Sequence, residues 1–355
     1  MMNIRTCKRT AFFCLFAVLL LFSGDAFSQD SAQRYAGTVA QLRKEGFSGI
    51  DRALAGFERI IREDPGFTKA YVGAADALLV KYEFSKNRKK QWMQKALDYL
   101  NTAVDKAPGT AQYYFKRAIV YLNLAQQARA EADLKKAIAL KAGFLKAQVL
   151  YLQYLLSAER KAEARRLADE WLKGYGADPA PLKYFADLFF QAGVYKEALS
   201  YYRQVVERVD KAPNSYAAMG EAYWKLGETK KAVAAFKKAL AQNSKMYRVH
   251  FALGTCLGES GDAGEAIVHF QRYLEKFPDD AAALNNLALL YEREGQNAQA
   301  RLTWMRLKSK TREKVYLQRA EAHLYRLAYD AGPRPKKSDG QKGTQKSAQG
   351  DERDE

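Results

Sequence analysis

"MGEAYWKLGETKKAVAAFKKAL", residues 219–240, decides the fold. Apolar and small residues recur at helical spacing on both sides of Gly227, so the stretch reads as two short amphipathic helices joined at that glycine. It holds no metal-ligand pair, nucleophile motif or phosphate loop. What it does hold is one register of a repeat. Gly220, Gly254 and Ala288 are spaced by 34 residues, as are Tyr223, Leu257 and Tyr291. Gly227, Gly261 and Gly295 keep that spacing, as do Ala232, Ala266 and Ala300, and then Phe236, Phe270 and Trp304. A period shared by this many columns marks a stacked-repeat architecture.

The register also runs towards the amino terminus. Ala186, Phe189, Gly193, Ala198 and Tyr202 fill the same columns in 179–212. The units 145–178 and 111–144 match less fully but keep Ala164 and Ala130 in the alanine column, and Ala118 and Tyr121 in the first-helix columns. Residues 111–314 are therefore six units of 34 residues. Upstream, "ALDYLNTAVDKAP" and "RALAGFERIIREDP" repeat the second-helix spacing. They define a unit at 67–110, with a basic segment inserted near "KYEFSKNRKKQWMQ", and a poorly patterned end unit at 29–66.

These columns resemble the tetratricopeptide repeat (TPR). Gly220, Tyr223, Ala232, Phe236 and Ala239 occupy that family's small, aromatic, alanine, aromatic and alanine places, and Pro278 stands at its proline place in the next unit. The resemblance implies an all-α fold: a right-handed superhelical solenoid of about eight helix hairpins. Physical reasons agree with it. Gly220 and Ala232 suit a close approach of antiparallel helices, and Tyr223 and Phe236 fill the space beside them. A lone hairpin cannot cover those rings, so the units must stack. "VYLQRAEAHLYRLAYD", 315–330, carries Leu317, Ala320, Leu324 and Leu327 at helical spacing and reads as a capping helix. Residues 331–355 contain no aromatic or aliphatic side chain larger than alanine and are expected to be a disordered tail.

The first 28 residues read differently. Arg5, Lys8 and Arg9 precede an apolar run from Ala11 to Phe22, followed by "SGDAFSQD", the order of a secretory signal peptide. The run is shorter than the roughly 17–25 residues of a spanning helix. Cleavage before Gln29 and a periplasmic or otherwise exported location are expected; the alternative is an inner-membrane anchor formed by an uncleaved signal. Removal would leave Cys256 as the one cysteine, so no internal disulfide is expected. The formal charge of +18 favours solubility or acidic partners.

Nothing in the chain reads as an enzyme. His250, His269 and His323 lack zinc-site spacing, and "GESGDAGEA" at 258–266 has neither the preceding strand nor the lysine of a phosphate loop. Cys256 sits among apolar neighbours, either as inert packing or as a reactive thiol. No catalytic residue, cofactor or metal is expected.

The resemblance implies a concave groove lined by the first helices. Carried over residue by residue, its groove places include Phe115, Ile119, Lys183, Asp187, Phe190, Glu221, Trp224, Arg248, Phe251 and Asn285, with Glu292 in the last unit. Trp224 and Phe190 are either binding hot spots or packing against a neighbouring first helix. The lysine, asparagine and arginine clamp by which some members hold carboxylate tails is absent, since those places hold Lys183 with Asp187, Ala217 with Glu221 and Phe251 with Thr255.

The inserted segment, with Lys86, Arg88, Lys89, Lys90 and Trp92, is either a solvated helix extension or a site for an anionic glycan, lipid or acidic protein. An exported protein is not expected to meet nucleic acid. The reading is an exported scaffold that holds a protein segment within a cell-envelope assembly serving secretion, pili, the outer membrane or exopolysaccharide. The alternative is a glycan- or lipid-binding accessory subunit of an envelope export system.

Overall fold

In most repeats a first helix buried on two sides alternates with a second helix that buries a single stripe, and the two pack as a hairpin between their neighbours. The computed structural model describes residues 29–331 apart from Lys86 and Arg88. The expected leader at 1–28 and the tail beyond Ala331 lie outside the described residues. Among those residues there is no strand, and no helix is long and apolar enough to cross a membrane.

The described residues form two compact units, divided after Gly176. The first contains α1 (Gln29–Glu45), α2 (Ile50–Glu63), α3 (Thr68–Phe84), α4 (Lys90–Lys106), α5 (Ala111–Asn123), α6 (Gln127–Leu140), α7 (Leu145–Ser157) and α8 (Lys161–Leu172). The second contains α9 (Pro179–Gln191), α10 (Tyr195–Arg208), α11 (Pro213–Lys225), α12 (Thr229–Gln242), α13 (Tyr247–Ser260), α14 (Ala263–Lys276), α15 (Ala281–Arg293), α16 (Asn297–Lys310) and α17 (Lys314–Ala331). Within each unit, successive helices pair as antiparallel hairpins, and each hairpin stacks on the next, the arrangement of a helical solenoid.

The repeat columns show why. In α11 and α12, Ala222, Ala232, Phe236 and Ala239 have no exposed surface. A Cβ added to Gly220 would lie 2.5 Å from the Phe236 ring, so the glycine admits the phenylalanine of its own hairpin. Burying one such ring contributes roughly 2 kcal/mol. The turn column is equally regular: Gly193, Gly227, Gly261 and Gly295 all have positive φ, and Ala125 and Glu159, in register with them, take φ of 58° and 59°. That position needs the left-handed conformation even where the residue is not glycine.

The first hairpin buries a core of Ala53, Phe57, Ile60 and Phe67, against which Tyr35, Val39 and Leu42 of α1 pack. Its neighbour absorbs the inserted residues as helix: α3 and α4 each span 17 residues, whereas α5 spans 13 and α6 spans 14. The insertion thus adds about one turn to each helix, at about 3.6 residues per turn.

Candidate functional site

In the second unit the first helices α9, α11 and α13 carry the expected groove residues. Asp178 starts α9 by accepting the Ala180 N–H at 2.9 Å, with Pro179 in the first turn, where its missing N–H costs nothing. This places Lys183 and Asp187 one turn apart, and they form an ion pair at 2.7 Å. The Tyr202 hydroxyl, from α10, donates to the other Asp187 oxygen at 2.7 Å. Asp187 is therefore already committed on both oxygens, and burial followed by that hydrogen bond pushes the Tyr202 pKa up. Phe190 is half-buried, its ring edge-on to Tyr195 at 5.5 Å.

On α11, Glu221 is exposed overall, yet desolvation of its carboxyl raises its pKa against the opposing effect of Lys225. Trp224 is half-buried, and its indole N–H donates to Glu259, on α13, at 3.0 Å. The Lys225 ammonium stands 5.5 Å from the Trp224 ring centroid. The indole thus both leans on a neighbouring first helix and keeps open surface. Arg248 is exposed at the start of α13. Phe251 is half-buried, edge-on to Phe270 at 5.5 Å and tilted against Tyr273 at 5.0 Å. Half-open aromatic rings among charges of both signs suit recognition of another chain.

Three expected groove residues are not on the surface. Phe115 and Ile119, in the first unit, are 2% and 7% exposed, and Phe115 packs against Phe144 at 5.2 Å. Phe115 thus packs on the ring that directly precedes α7, the first helix of the next hairpin. Asn285 is 4% exposed, and its side-chain oxygen accepts Arg319 of α17 at 3.1 Å. The groove face of α15 is thus taken by the chain's own last helix, which also engages Glu292.

The fold also joins residues that are distant in sequence. His250 and His269 meet Nδ1 to Nδ1 at 2.8 Å, although their spacing gives no motif. His250 Nε2 lies 3.1 Å from the Ser244 carbonyl, which can only accept, so His250 carries its proton there. In the neutral pair His269 Nδ1–H then donates to His250. Glu131 accepts from Arg160, Tyr151 and Tyr154, and the Arg160 guanidinium, helped by Lys135 and Tyr151, holds its carboxyl at about 2. Lys116, 2% exposed, pairs with Asp76 at 2.7 Å. These polar pairs bridge neighbouring helices; only a shared position on packed faces could have announced them. Cys256 is buried, and burial followed by the nearby Glu259 pushes its thiol up to about 12, which makes it a poor nucleophile at neutral pH.

In the inserted segment, Lys86 and Arg88 lie outside the described residues. Lys89 and Lys90 are exposed, and Trp92 is half-buried with the Lys81 and Lys89 ammonium groups 5.0 Å and 5.8 Å from its ring centroid. Among the described residues no cluster of three or more histidine, cysteine, aspartate or glutamate side chains could hold a metal ion.

Three family models, each described as tetratricopeptide repeat, match the chain: one at 184–245 and 217–274, one at 269–302 and one at 111–144. No curated protein matches it. Among solved structures, the carboxy-terminal part of a TPR repeat-containing protein from Cytophaga hutchinsonii superposes with a TM-score of 0.52 at 17% identity, covering 69% of this chain and 98% of that one. A tetratricopeptide repeat protein from Parabacteroides merdae gives 0.44 at 15% identity, over 73% of this chain and 99% of that one. YrrB, described as a TPR protein with an unusual peptide-binding site, gives 0.38 at 17% identity, over 63% of this chain and 97% of that one.

Proposed function

Because tetratricopeptide-repeat models match the chain at 111–144 and between 184 and 302, we propose that it is a protein-binding scaffold whose second unit holds an extended or helical segment of a partner across α9, α11 and α13. One observation carries this reading: Trp224 keeps open ring surface beside the exposed Glu221, with Phe251 half-open and Arg248 exposed on the following first helix. Rigid aromatic surface set among opposite charges is the usual composition of a binding hot spot. We place the scaffold in the cell envelope, exported by the segment at 1–28, because Arg5, Lys8 and Arg9 precede a short apolar run that ends in small residues. In that setting it would tether one component of a secretion, pilus, outer-membrane or exopolysaccharide assembly.

A photoactivatable residue at Glu221 tests the groove, with one at the exposed Arg272 on the second helix α14 as control. Discrete protein adducts are expected from position 221 and not from 272, and Trp224→Ala should reduce them while leaving helicity unchanged. Equal adducts from both positions would remove the groove assignment. Export is tested separately by sequencing the mature amino terminus, which should begin near Gln29; a retained Met1 would favour an anchor.

A further inference from the structure

The tips of the first two hairpins carry a feature that groove binding does not use. Between α1 and α2 the chain makes a single 3-10 turn, Gly46–Gly49, which lifts Phe47 to 54% exposure. Phe84, the last residue of α3, is also 54% exposed, and the two rings meet with centroids 5.9 Å apart at 58°. Lys81, one turn before Phe84, pairs with Asp51 of α2 and stands over Trp92 of α4, with Lys89 on the same ring. Phe47, Phe84 and Trp92 therefore belong to one continuous surface.

Its charge is basic on balance. Of the acids nearest the tip, Glu45 pairs with Arg52 and Asp51 with Lys81, and Glu83 directly precedes Phe84. Lys44, Lys89 and Lys90 are exposed, Lys44 three residues before Phe47 in the chain and Lys89 on the Trp92 ring. Two paired phenylalanines held in water by short helical turns mark a contact site, and these lysines mark its partner as anionic.

We propose that this tip docks on an anionic phospholipid bilayer, with Phe47 and Phe84 entering the boundary between headgroups and acyl chains and the lysines facing lipid phosphates. A bilayer interface takes both kinds of group, as interfacial segments with aromatic and basic residues do. A polyanion held by its charge alone matches the lysines but leaves the phenylalanine pair in water. Base stacking would need an open ring face, whereas Trp92 lies beneath two ammonium groups and the phenylalanines tilt against each other. The proposal is independent of the groove, since every residue in it belongs to the first unit.

The test uses the full chain with Cys7, Cys14 and Cys256 replaced by alanine and an environment-sensitive nitrobenzoxadiazole label on Ser48→Cys. The label reports position 48 alone, so an association made elsewhere in the chain leaves it in water. On vesicles of phosphatidylcholine with phosphatidylglycerol its emission should rise and shift to the blue, and on phosphatidylcholine alone it should not. Lys89→Ser with Lys90→Ser should weaken binding about thirtyfold, the effect of two lysines lost from an anionic surface. Phe47→Ser with Phe84→Ser should abolish the blue shift at unchanged far-UV circular dichroism. A label that stays in water on anionic vesicles, or a shift that survives the phenylalanine pair's replacement, overturns the proposal. Heparin binding through Lys89 and Lys90 with an unmoved label would make the tip a polyanion site instead.

Discussion

The indole N–H of Trp304 donates to the Glu292 carboxylate at 2.6 Å, the same carboxylate that receives His323 at 2.9 Å. Arg326 completes the set, and the His323 ring stacks on Trp304 with centroids 4.5 Å apart. The last helix is thus locked to α15 and α16 by one carboxylate whose side chain is 9% exposed. Glu292→Ala leaves the buried Trp304 and the half-buried His323 without their acceptor, whereas the exposed Arg326 turns to water, and should cost about 3 kcal/mol, since hydrogen bonds to charged groups are each worth about 1.5–3 kcal/mol. Glu292→Gln keeps an acceptor for Trp304 and should recover part of that. Urea unfolding gives the magnitude, and faster amide exchange confined to α17 would show that docking is what was lost.

Two columns of the repeat make opposite predictions for exchanges between glycine and alanine. Gly220→Ala gains about 1 kcal/mol in helix propensity. A Cβ 2.5 Å from the Phe236 ring costs more, about 1–3 kcal/mol for overpacking, so the variant should be less stable. Ala125→Gly runs the other way. Its φ of 58° carries a left-handed penalty of about 1–2 kcal/mol that glycine lacks, partly offset by glycine's greater unfolded entropy. A gain of up to about 1 kcal/mol is expected, read as a higher urea midpoint at unchanged slope.

Glu131 makes the first unit acid-sensitive. Its hydrogen bond from Arg160, with Lys135 and Tyr151 adding to it, lowers its pKa from 4.5 to about 2. A carboxyl depressed in the folded state adds stability that is complete above its unfolded pKa and is lost as pH falls towards the folded value. Stability should therefore decline between about pH 4.5 and about 2 through this group. Glu131→Gln should flatten that part of the curve while lowering stability at neutral pH. An unchanged slope would show that the network is too exposed to count.

His269 places a second titration closer to neutrality. Burial, and then the neighbouring His250, hold its pKa below the ordinary 6.5, against the pull of Glu265. The unfolded chain then binds the proton first as pH drops through about 6.5, so acidification destabilises the fold. His269→Gln should remove this dependence between pH values just above and below 6.5. Chemical denaturation at the two values, for the parent and the variant, gives the comparison directly.

The sequence by itself determined the hairpins and their stacking. Gly220, Tyr223, Ala232 and Phe236 are contacts within a hairpin or with the adjacent one, so their geometry recurs with every unit and their period can be read along the chain. The turn column was equally open at Gly227, Gly261 and Gly295; Ala125 and Glu159 show that register governs that conformation where composition does not. For the groove, the same carry-over points to Glu221 and Trp224, which the structure leaves exposed and half-buried, and to Phe115, Ile119 and Asn285, which it buries. Exposure at a repeat position depends on what the next hairpin, or the last helix, lays over it, and that differs from unit to unit. The same holds for His250 with His269 and for Phe47 with Phe84: each pair joins separate helical elements, and only packing decides that their rings meet.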